Sequence, residues 1–463
     1  MSNKLVYIYT IGCQMNVYDS EQFEKLLAPL GYSRTEFLEQ ADLVITNTCS
    51  VREKAEEKAF SFIGRLQALK KKKKSLISGV AGCVAQQEGK NILDRLPYVD
   101  FVIGTHAVAR LHDIVRSIEI SGGRIVDTSF NEDIEEYNVL PEYRSHSVSG
   151  FITIMRGCDN FCSYCVVPHV RGRESSRKPD AIISEIRSAV KGGRKEITLL
   201  GQNVNSYGKK EGLPSFPELL RMIHDIEGLE RIRFATSHPK DMSDELVKAY
   251  KDLDKLCKHI HLPVQCGSDR ILKSMNRKYT SADYFEKIEK LRNACPDIAI
   301  TSDMIVGFPG EELEDFEATL DLVRKVEFDN IFAFAYSDRP FAPAAMFEGK
   351  MPEKERKRRL NELLDVQDEI SKKKNVAMEG RTEVVLVEGM SRRSNSDSDV
   401  ADSEPVQWTG RTDGNKVLNF TVEQDGSGSD VSIDLTGKII PVVVADGLGH
   451  SLRGVAKLKN LDL

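Results

Sequence analysis

The 463-residue chain reads as an α/β protein in three parts: an open parallel α/β sheet, a partial (β/α)6 TIM-like barrel and a small antiparallel β-barrel. Strand and helix signals alternate in two successive stretches, and short β-rich runs then replace them. Alternation implies parallel strands joined by covering helices. Short runs divided by Gly, Asp, Ser and Asn imply a small barrel.

The first part, residues 1–125, carries apolar strands "LVYIYT", "DLVITN", "SLISGVAG" and "VDFVIGT" between helical patterns such as "SEQFEKLLAPLG". Cys13, Cys49 and Cys83 follow the first three of these strands, one βα repeat apart. In an open parallel sheet the strands end on one edge, where ligands bind. Each thiol alone reads as a core cysteine. All three at equivalent strand ends predict a three-cysteine site.

Residues 126–147 are acidic, broken by Pro141 and without helical period, which predicts a linker. The second part, 148–375, offers strands "GFITIMR", "KEITLL", "RIRFAT", "KHIHLP", "IAITSDMIVG" and "NIFAFAY" with helical stretches between them. Six βα units fall short of a closed barrel of eight. Cys158, Cys162 and Cys165 in "MRGCDNFCSYCVVP" follow the first of these strands, at the face where such barrels keep their active sites. The charged stretch "MPEKERKRRLNELLDVQDEISKKKNVAMEG" is expected to be a long exposed helix leading out. The third part, 376–463, holds "TEVVLVEG", "VQWTGRT", "KVLNFTV" and "KIIPVVVADG" around a polar loop, "SRRSNSDSDVADSE".

A net charge of −6 argues against a protein that simply coats nucleic acid, while leaving room for a local RNA-binding patch. The run Lys70 to Lys74 reads as a solvated helix end. No apolar run approaches the roughly 18–20 residues of a membrane helix. The start, "MSNKLVYIYTIGC", is too short in its apolar stretch for a signal core. A cytoplasmic protein with no membrane partner is expected. Nine cysteines, an odd count, argue against a disulfide framework, and Cys257, Cys266 and Cys295 read as small buried hydrophobes.

The C-x-x-x-C-x-x-C spacing suits three corners of a 4Fe–4S cube and leaves one iron open to a small molecule. An electron carrier would normally have a complete set of protein ligands. A zinc ion on the three cysteines plus water or His169 is the competing reading, although zinc sites more often show paired C-x-x-C spacing.

"GCDNFCSYC" after a first barrel strand resembles the radical S-adenosylmethionine (SAM) enzymes. "TIGCQMNVYDSE", "ITNTCSVREKAEEK", "GVAGCVAQQEG" and "MRGCDNFCSYCVVPHVRGRE" together resemble the methylthiotransferases along nearly the whole chain. Within them, "NTCSVREKAEEK" is most similar to the tRNA enzymes that methylthiolate N6-isopentenyladenosine next to the anticodon. The resemblance implies two 4Fe–4S clusters and S-adenosyl-L-methionine. Cys158, Cys162 and Cys165 would hold the SAM-cleaving cluster, and Cys13, Cys49 and Cys83 an auxiliary cluster whose open iron carries the sulfur. One SAM would methylate that sulfur. Another would generate the radical that takes hydrogen from adenine C2, a position with no acid–base handle. The implied partners are tRNA, through an anticodon stem-loop bearing the isopentenylated adenosine, a low-potential electron donor such as flavodoxin or ferredoxin, and a sulfur source.

The resemblance also suggests SAM contacts at Tyr164, Gly201, Gln202, Asp303 and Gly307, against packing for Tyr164 and turn chemistry for the others. Arg156 and Arg171 would meet carboxylate or phosphate, or form ion pairs. The third part resembles a TRAM domain, an OB-like barrel associated with RNA binding, through "WTGRTDGNKVLNF" and "SLRG". Arg392, Arg393, Arg411 and Arg453 are its candidate phosphate contacts, and Trp408 either packs the barrel or stacks on a base. The acidic "DSDVADSE" loop and the long "EQDGSGSDVS" tip depart from the usual pattern. So does "YSDRPFAPAA", where the family more often has proline and glycine in place of Asp338 and Phe341. The alternatives are the same chemistry on threonylcarbamoyladenosine in tRNA or on an aspartate of a ribosomal protein, and an iron–sulfur RNA-binding regulator without catalysis.

Overall fold

A computed structural model describes residues 4–50, 53–130, 147–210, 212–391, 406–423 and 434–457. Its first sheet is parallel throughout: β1 (Lys4–Thr10), β2 (Tyr32–Arg34), β3 (Leu43–Thr48), β4 (Ile77–Gly82), β5 (Phe101–Ile103) and β6 (Ile125–Asp127), in the order β2-β1-β3-β4-β5-β6. Five helices connect the strands: α1 (Gln14–Leu27), α2 (Glu53–Lys72), α3 (Cys83–Glu88), α4 (Lys90–Arg95) and α5 (Leu111–Ser121). Phe23 and Leu27 of α1 and Leu111 and Val115 of α5 pack one face of the sheet; Ile63 and Leu66 of α2 pack the other. The edge strands β2 and β6 escape the sequence reading because, unlike the equally short but fully buried β5, they bury little and so carry no apolar run. The sheet runs through Asp127, two residues past the boundary expected at 125. Most of the expected linker, residues 131–146, lies outside the described residues.

The second part contains all six expected strands: β7 (Ser149–Thr153), then, after a small antiparallel pair β8 (Met155–Arg156) and β9 (Ser175–Ser176), β10 (Glu196–Leu200), β11 (Arg231–Phe234), β12 (His259–His261), β13 (Ala299–Val306) and β14 (Asn330–Ala335). They form two three-stranded parallel sheets, β11-β10-β7 and β12-β13-β14, linked by the parallel bridge Ile232–Leu256. The seam falls where β12 is shortest and Pro263 follows it, since proline cannot donate to a ladder. Around the arc lie α6 (Val167–Val170), α7 (Pro179–Lys191), α8 (Phe216–His224), α9 (Asp244–Asp252), α10 (Asp269–Ser274), α11 (Ser281–Ala294) and α12 (Leu313–Val326). Ile197, Leu199, Ile232, Ile300 and Met304 point from the strands into the core beneath these helices. The alternate residues, among them Glu196, Arg233, Thr301 and Asp303, line the inside of the arc.

The charged helix α13 (Glu353–Val376) is not the exposed connector expected. It lies along β14 and α12 and buries Arg359, Leu363, Gln367, Ile370 and Asn375. Three of those side chains are polar and bonded: Arg359 to Glu311 (2.8 Å), Gln367 to the Phe328 carbonyl (2.9 Å) and Asn375 to the Leu448 carbonyl (2.6 Å). Hydropathy therefore conceals the packed face.

The third part is a closed five-stranded barrel, β15 (Thr382–Met390), β16 (Trp408–Thr412), β17 (Val417–Glu423), β18 (Ile439–Gly447) and β19 (Leu452–Lys457), closed in the order β15-β16-β17-β19-β18. The expected antiparallel pairing holds except between β17 and β19, which are parallel. An odd number of strands cannot alternate all the way round a closed ring, so one parallel pair is required. Trp408, 5% exposed, belongs to the barrel core. Among the described residues no helix is long and apolar enough to cross a membrane.

The barrel docks below the arc through two arginines of β11. Arg231 donates to the carbonyls of Arg411 (2.8 Å) and Val384 (2.8 Å), and Arg233 to those of Thr412 (2.8 Å) and Asp413 (2.9 Å). Arg233 is buried and paired with Glu196 at 2.8 Å. Removing one partner of such a pair leaves an uncompensated buried charge, at a cost of about 3–5 kcal/mol. Arg233→Ala should therefore shift barrel unfolding to lower urea, as read by the fluorescence of Trp408, the chain's one tryptophan. The double variant Arg233→Met with Glu196→Gln should lose less. Equal transitions in wild type and Arg233→Ala would contradict this docking.

Candidate functional site

Strand order reverses between β1 and β3, with β2 on the far side of β1. Such a switch point opens a crevice at the carboxyl ends of the strands. Cys13 follows β1 at the N-cap of α1, Cys49 follows β3, and Cys83 opens α3 directly after β4. Two glycines let the loops meet. A Cβ on Gly12 (φ +136°) would stand 2.5 Å from the Cys49 Cβ, and one on Gly82 (φ +92°) 2.4 Å from the Thr48 carbonyl. Buried polar side chains tie the strand ends together. Asn16 donates to Asn47 Oδ1 (2.9 Å) and the Thr48 carbonyl (2.8 Å), Asn47 to the Asn16 carbonyl (2.8 Å) and Ser20 Oγ (3.0 Å), and Thr48 to the Ala81 carbonyl (2.6 Å). A hydrogen bond from Cys49, opposed by burial and helped by the charge of Arg171, brings the Cys13 thiol down to about 6. Burial pushes the Cys83 thiol up.

Cys158, Cys162 and Cys165 sit in the loop after β8. Gly157 (φ +72°) turns the chain where a Cβ would meet the Arg173 carbonyl at 2.0 Å. The residues after α10 pin this loop: Asn276 donates to the Phe161 carbonyl (2.9 Å), Arg277 Nη1 approaches Cys162 Sγ (3.5 Å), and Ser163 Oγ donates to the Ser274 carbonyl (2.8 Å). Burial, with the neighbouring Cys162 adding to it, pushes the Cys165 thiol up to about 12. Among the described residues no three His, Cys, Asp or Glu side chains are grouped to hold one metal ion. A zinc ion would hold its sulfurs about 2.3 Å from a single point. In a 4Fe–4S cube each thiolate binds its own iron, and two sets of three thiols on tight loops fit that group.

Both sets open on the same region. Val166 and Val170, immediately after the second set, pack against Cys83. Thr105 donates to the Val170 carbonyl (2.6 Å), His106 bonds the Arg171 carbonyl (2.9 Å), and Arg171 donates to Asp19 (3.1 Å). On its other side α1 meets the strand ends of the arc. Met15 and Tyr18 pack on Leu200, and Gln202 Nε2 donates to Met15 Sδ.

The strand ends there carry polar atoms without partners: Thr153 Oγ1 after β7, Gln202 Oε1, Asn203 Oδ1 and both side-chain heteroatoms of Asn205 after β10, and Ser237 Oγ and His238 Nε2 after β11. Burial, reinforced by Arg277, pushes His238 down to about 2, so its ring is neutral. Its Nδ1 accepts from the Lys240 amide (3.2 Å), which assigns the proton to Nε2. A neutral donor and several amide and hydroxyl groups thus wait at three adjacent strand ends. Buried polar atoms are normally paired, and the amino-acid and ribose groups of SAM fit this set.

Of the residues expected at SAM, Gln202 belongs to this group. Gly201 faces Met155, where a Cβ would stand at 2.5 Å. Asp303 lies inside the arc, 3.4 Å from His261 Nε2. The Gly307 amide donates to Glu311 (2.9 Å), and Arg356 occupies the space a Cβ would take. Tyr164 packs on the cluster of Met275, Phe308 and Tyr336, its hydroxyl 3.4 Å from Arg277 Nη1. His169 stacks against Phe341, and Arg156 is buried on β8. Arg411 pairs with Glu388 at 2.9 Å, Arg453 is exposed on β19, and Arg392 and Arg393 lie outside the described residues. The lysine run is partly paired, Lys70 with Asp100 and Lys73 with Asp42. Cys257, Cys266 and Cys295 are buried.

Sequence reasoning passed over Asn16, Asp19, Asn203, Asn205, His238 and Arg277. The first two carried a signal, since polar residues three and six after Cys13 recur on one face of a helix. The others come from loops remote in sequence. In protein freed of iron, iodoacetamide should label Cys13 first and Cys165 far more slowly at pH 7. Cys13 labelling should fall as pH drops below about 6, because the thiolate is the nucleophile. Peptide mass spectrometry checks the order, and equal rates would contradict it.

Residues 152–323 match the model of the radical SAM superfamily, and residues 5–104 that of uncharacterized protein family UPF0004. Among solved structures, TsrM from Kitasatospora setae, a radical S-adenosylmethionine methyltransferase, superposes with a TM-score of 0.58 at 14% identity, covering 74% of this chain and 75% of that one. At that identity the likeness concerns fold alone. The sequence likeness is closer. The tRNA-2-methylthio-N(6)-dimethylallyladenosine synthase of Desulfosudis oleivorans is 54% identical over 98% of this chain and 97% of its own. Those of Syntrophus aciditrophicus and Geobacter sulfurreducens are 50% and 48% identical, over 98% and 94% of this chain and 95% of their own in each case. With kinship of that extent over all three parts, the chain belongs to the tRNA-2-methylthio-N(6)-dimethylallyladenosine synthase family of radical SAM enzymes.

Proposed function

We infer that the chain is a tRNA methylthiotransferase that inserts a methylthio group at C2 of N6-isopentenyladenosine beside the anticodon. The observation that carries this reading is that residues 166–171, immediately after the second cysteine set, pack on Cys83 and bond to Thr105 and Asp19 of the first sheet. We assign Cys158, Cys162 and Cys165 to one 4Fe–4S cluster and Cys13, Cys49 and Cys83 to the other. When bound, the first cluster with SAM supplies a 5′-deoxyadenosyl radical and the second supplies sulfur.

The chain's own residues hold and orient. Asn276 and Arg277 fix the loop of the first set. Gln202, Asn203, Asn205, Ser237 and His238 offer uncharged donors and acceptors to the amino-acid and ribose groups of SAM. Asp303 and His261 line the inside of the arc below them, where the substrate base would enter. Arg453, exposed on β19, and Arg411 of β16 are proposed phosphate contacts, with Arg392 and Arg393, which lie outside the described residues. A low-potential donor such as flavodoxin or ferredoxin would deliver the electron, and a separate sulfur source would restore the auxiliary site. A cytoplasmic location accords with a tRNA substrate.

The test is a reduced, anaerobic reaction with SAM and tRNA bearing or lacking the isopentenyl group, followed by nucleoside mass spectrometry. A 2-methylthio product should form only on the isopentenylated tRNA. Product on threonylcarbamoyladenosine tRNA instead would move the substrate, and no SAM cleavage at all would favour a regulator. Iron and sulfide counting should find about eight of each per chain, as two 4Fe–4S clusters require. Replacing either cysteine set by alanine should remove half, and loss of all iron on replacing one set would overturn the two-site assignment.

A further inference from the structure

Arg171 is 3% exposed and comes from the arc, yet it is buried against the cysteines of the first sheet. Its Nη2 donates to Asp19 at 3.1 Å, with Asp19 itself 2% exposed. The neighbouring backbone is clamped at two points, the Val170 carbonyl by Thr105 and the Arg171 carbonyl by His106. The guanidinium lies within hydrogen-bond reach of Cys83, and the charges of Cys83 and Cys13 both act on it. The remaining terminal nitrogen, Nη1, is buried with no hydrogen-bond acceptor. A guanidinium has five donors in a rigid fork, and leaving one unmet in a buried site is costly. One arm is thus fixed by a carboxylate, while Nη1, buried without a partner, belongs to a guanidinium that lies beside a three-thiol site.

We propose that Arg171 is a positioning residue for the sulfur that the auxiliary site receives, its Nη1–H donating to a monoanionic soft sulfur ligand, hydrosulfide or methanethiolate. The proposal rests on the assignment of Cys13, Cys49 and Cys83 to an auxiliary cluster. Chemistry favours the pairing. Three thiolates and Asp19 crowd negative charge around the cluster's iron, and a guanidinium beside it offsets that charge for an incoming sulfur anion. The Asp19 bond holds the fork in one orientation, so the anion is directed as well as attracted. The thiol's proton leaves to solvent on binding, and no electron is transferred.

The experiment uses the full chain with Cys158, Cys162 and Cys165 replaced by alanine, reconstituted anaerobically so that only the auxiliary site is loaded. Sulfide and methanethiol are titrated separately, and the change in the reduced cluster's electron paramagnetic resonance spectrum is followed. A hydrogen bond to a charged group is worth roughly 1.5–3 kcal/mol, or about ten- to a hundredfold in affinity. Arg171→Met should retain iron and sulfide but require at least about tenfold more ligand, with Arg171→Lys intermediate. The double variant Asp19→Asn with Arg171→Met removes both charges and should show the same weakened titration, which guards against misfolding from an orphaned Asp19. If both ligands weaken, Nη1 recognises the sulfur anion; if only methanethiolate weakens, the methylated sulfur is its ligand. Unchanged titrations, or loss of iron in the double variant, would overturn the proposal by leaving Arg171 a purely structural role. Failure of the unmutated-Arg171 protein to hold any iron would instead overturn the auxiliary-cluster assignment itself.

Discussion

One helix, α1, is held between two sheets, and the functional face depends on its being covered on most sides, with only Gln14 and Val17 exposed. A surface helix ordinarily turns an apolar stripe inward and a polar one to water. Here Phe23 and Leu27 pack on the first sheet, Met15 and Tyr18 meet the arc, and Asn16, Asp19 and Ser20 face the strand ends. Those polar groups are spent on Asn47, Thr48, Thr10 and Arg171 rather than on solvent. The same placement sets Cys13 at the positive end of the helix, where a thiolate is favoured.

Arginines of the arc then fix how that helix sits. Arg171 meets Asp19, Arg194 meets Glu21 at 2.9 Å, and Arg177 joins Glu185 at 2.7 Å beside the Tyr18 hydroxyl. Buried pairs add little net stability over apolar contacts, because desolvation offsets attraction. Their contribution here is direction. An apolar interface tolerates sliding, whereas three forked donors aligned with three acceptors along one helix do not. The two cysteine sets are thereby held at a fixed offset.

Much of this was legible in the sequence. The cysteines declared themselves by spacing, and every strand of at least four residues in the first two parts, apart from the hidden edges, was marked by an apolar run. What stayed hidden has physical reasons. β2 and β6 are half-exposed edge strands that bury no apolar run, and α13 packs through Arg359, Gln367 and Asn375, which no hydropathy pattern registers as inward. The parallel pair β17–β19 follows from closing an odd ring rather than from any residue in it. At the site, Gln202 was visible as a loop residue, but its companions Ser237 and His238 are brought to it only by the parallel order of β10 and β11. Arg171 was marked only as a charge near a cluster, and its partner Asp19 lies 152 positions away.

The terminal barrel is gripped mostly by its main chain, with an added side-chain hold where Lys416 meets Asp329 at 3.2 Å and Asn375 at 2.8 Å. Arg231 and Arg233 take the carbonyl oxygens of Val384, Arg411, Thr412 and Asp413, and none of these contacts depends on what side chain those positions bear. Substitution on the barrel's outward face can therefore change its chemistry without touching these four bonds. The barrel is in that sense an interchangeable attachment: the catalytic body anchors a shape rather than a particular surface.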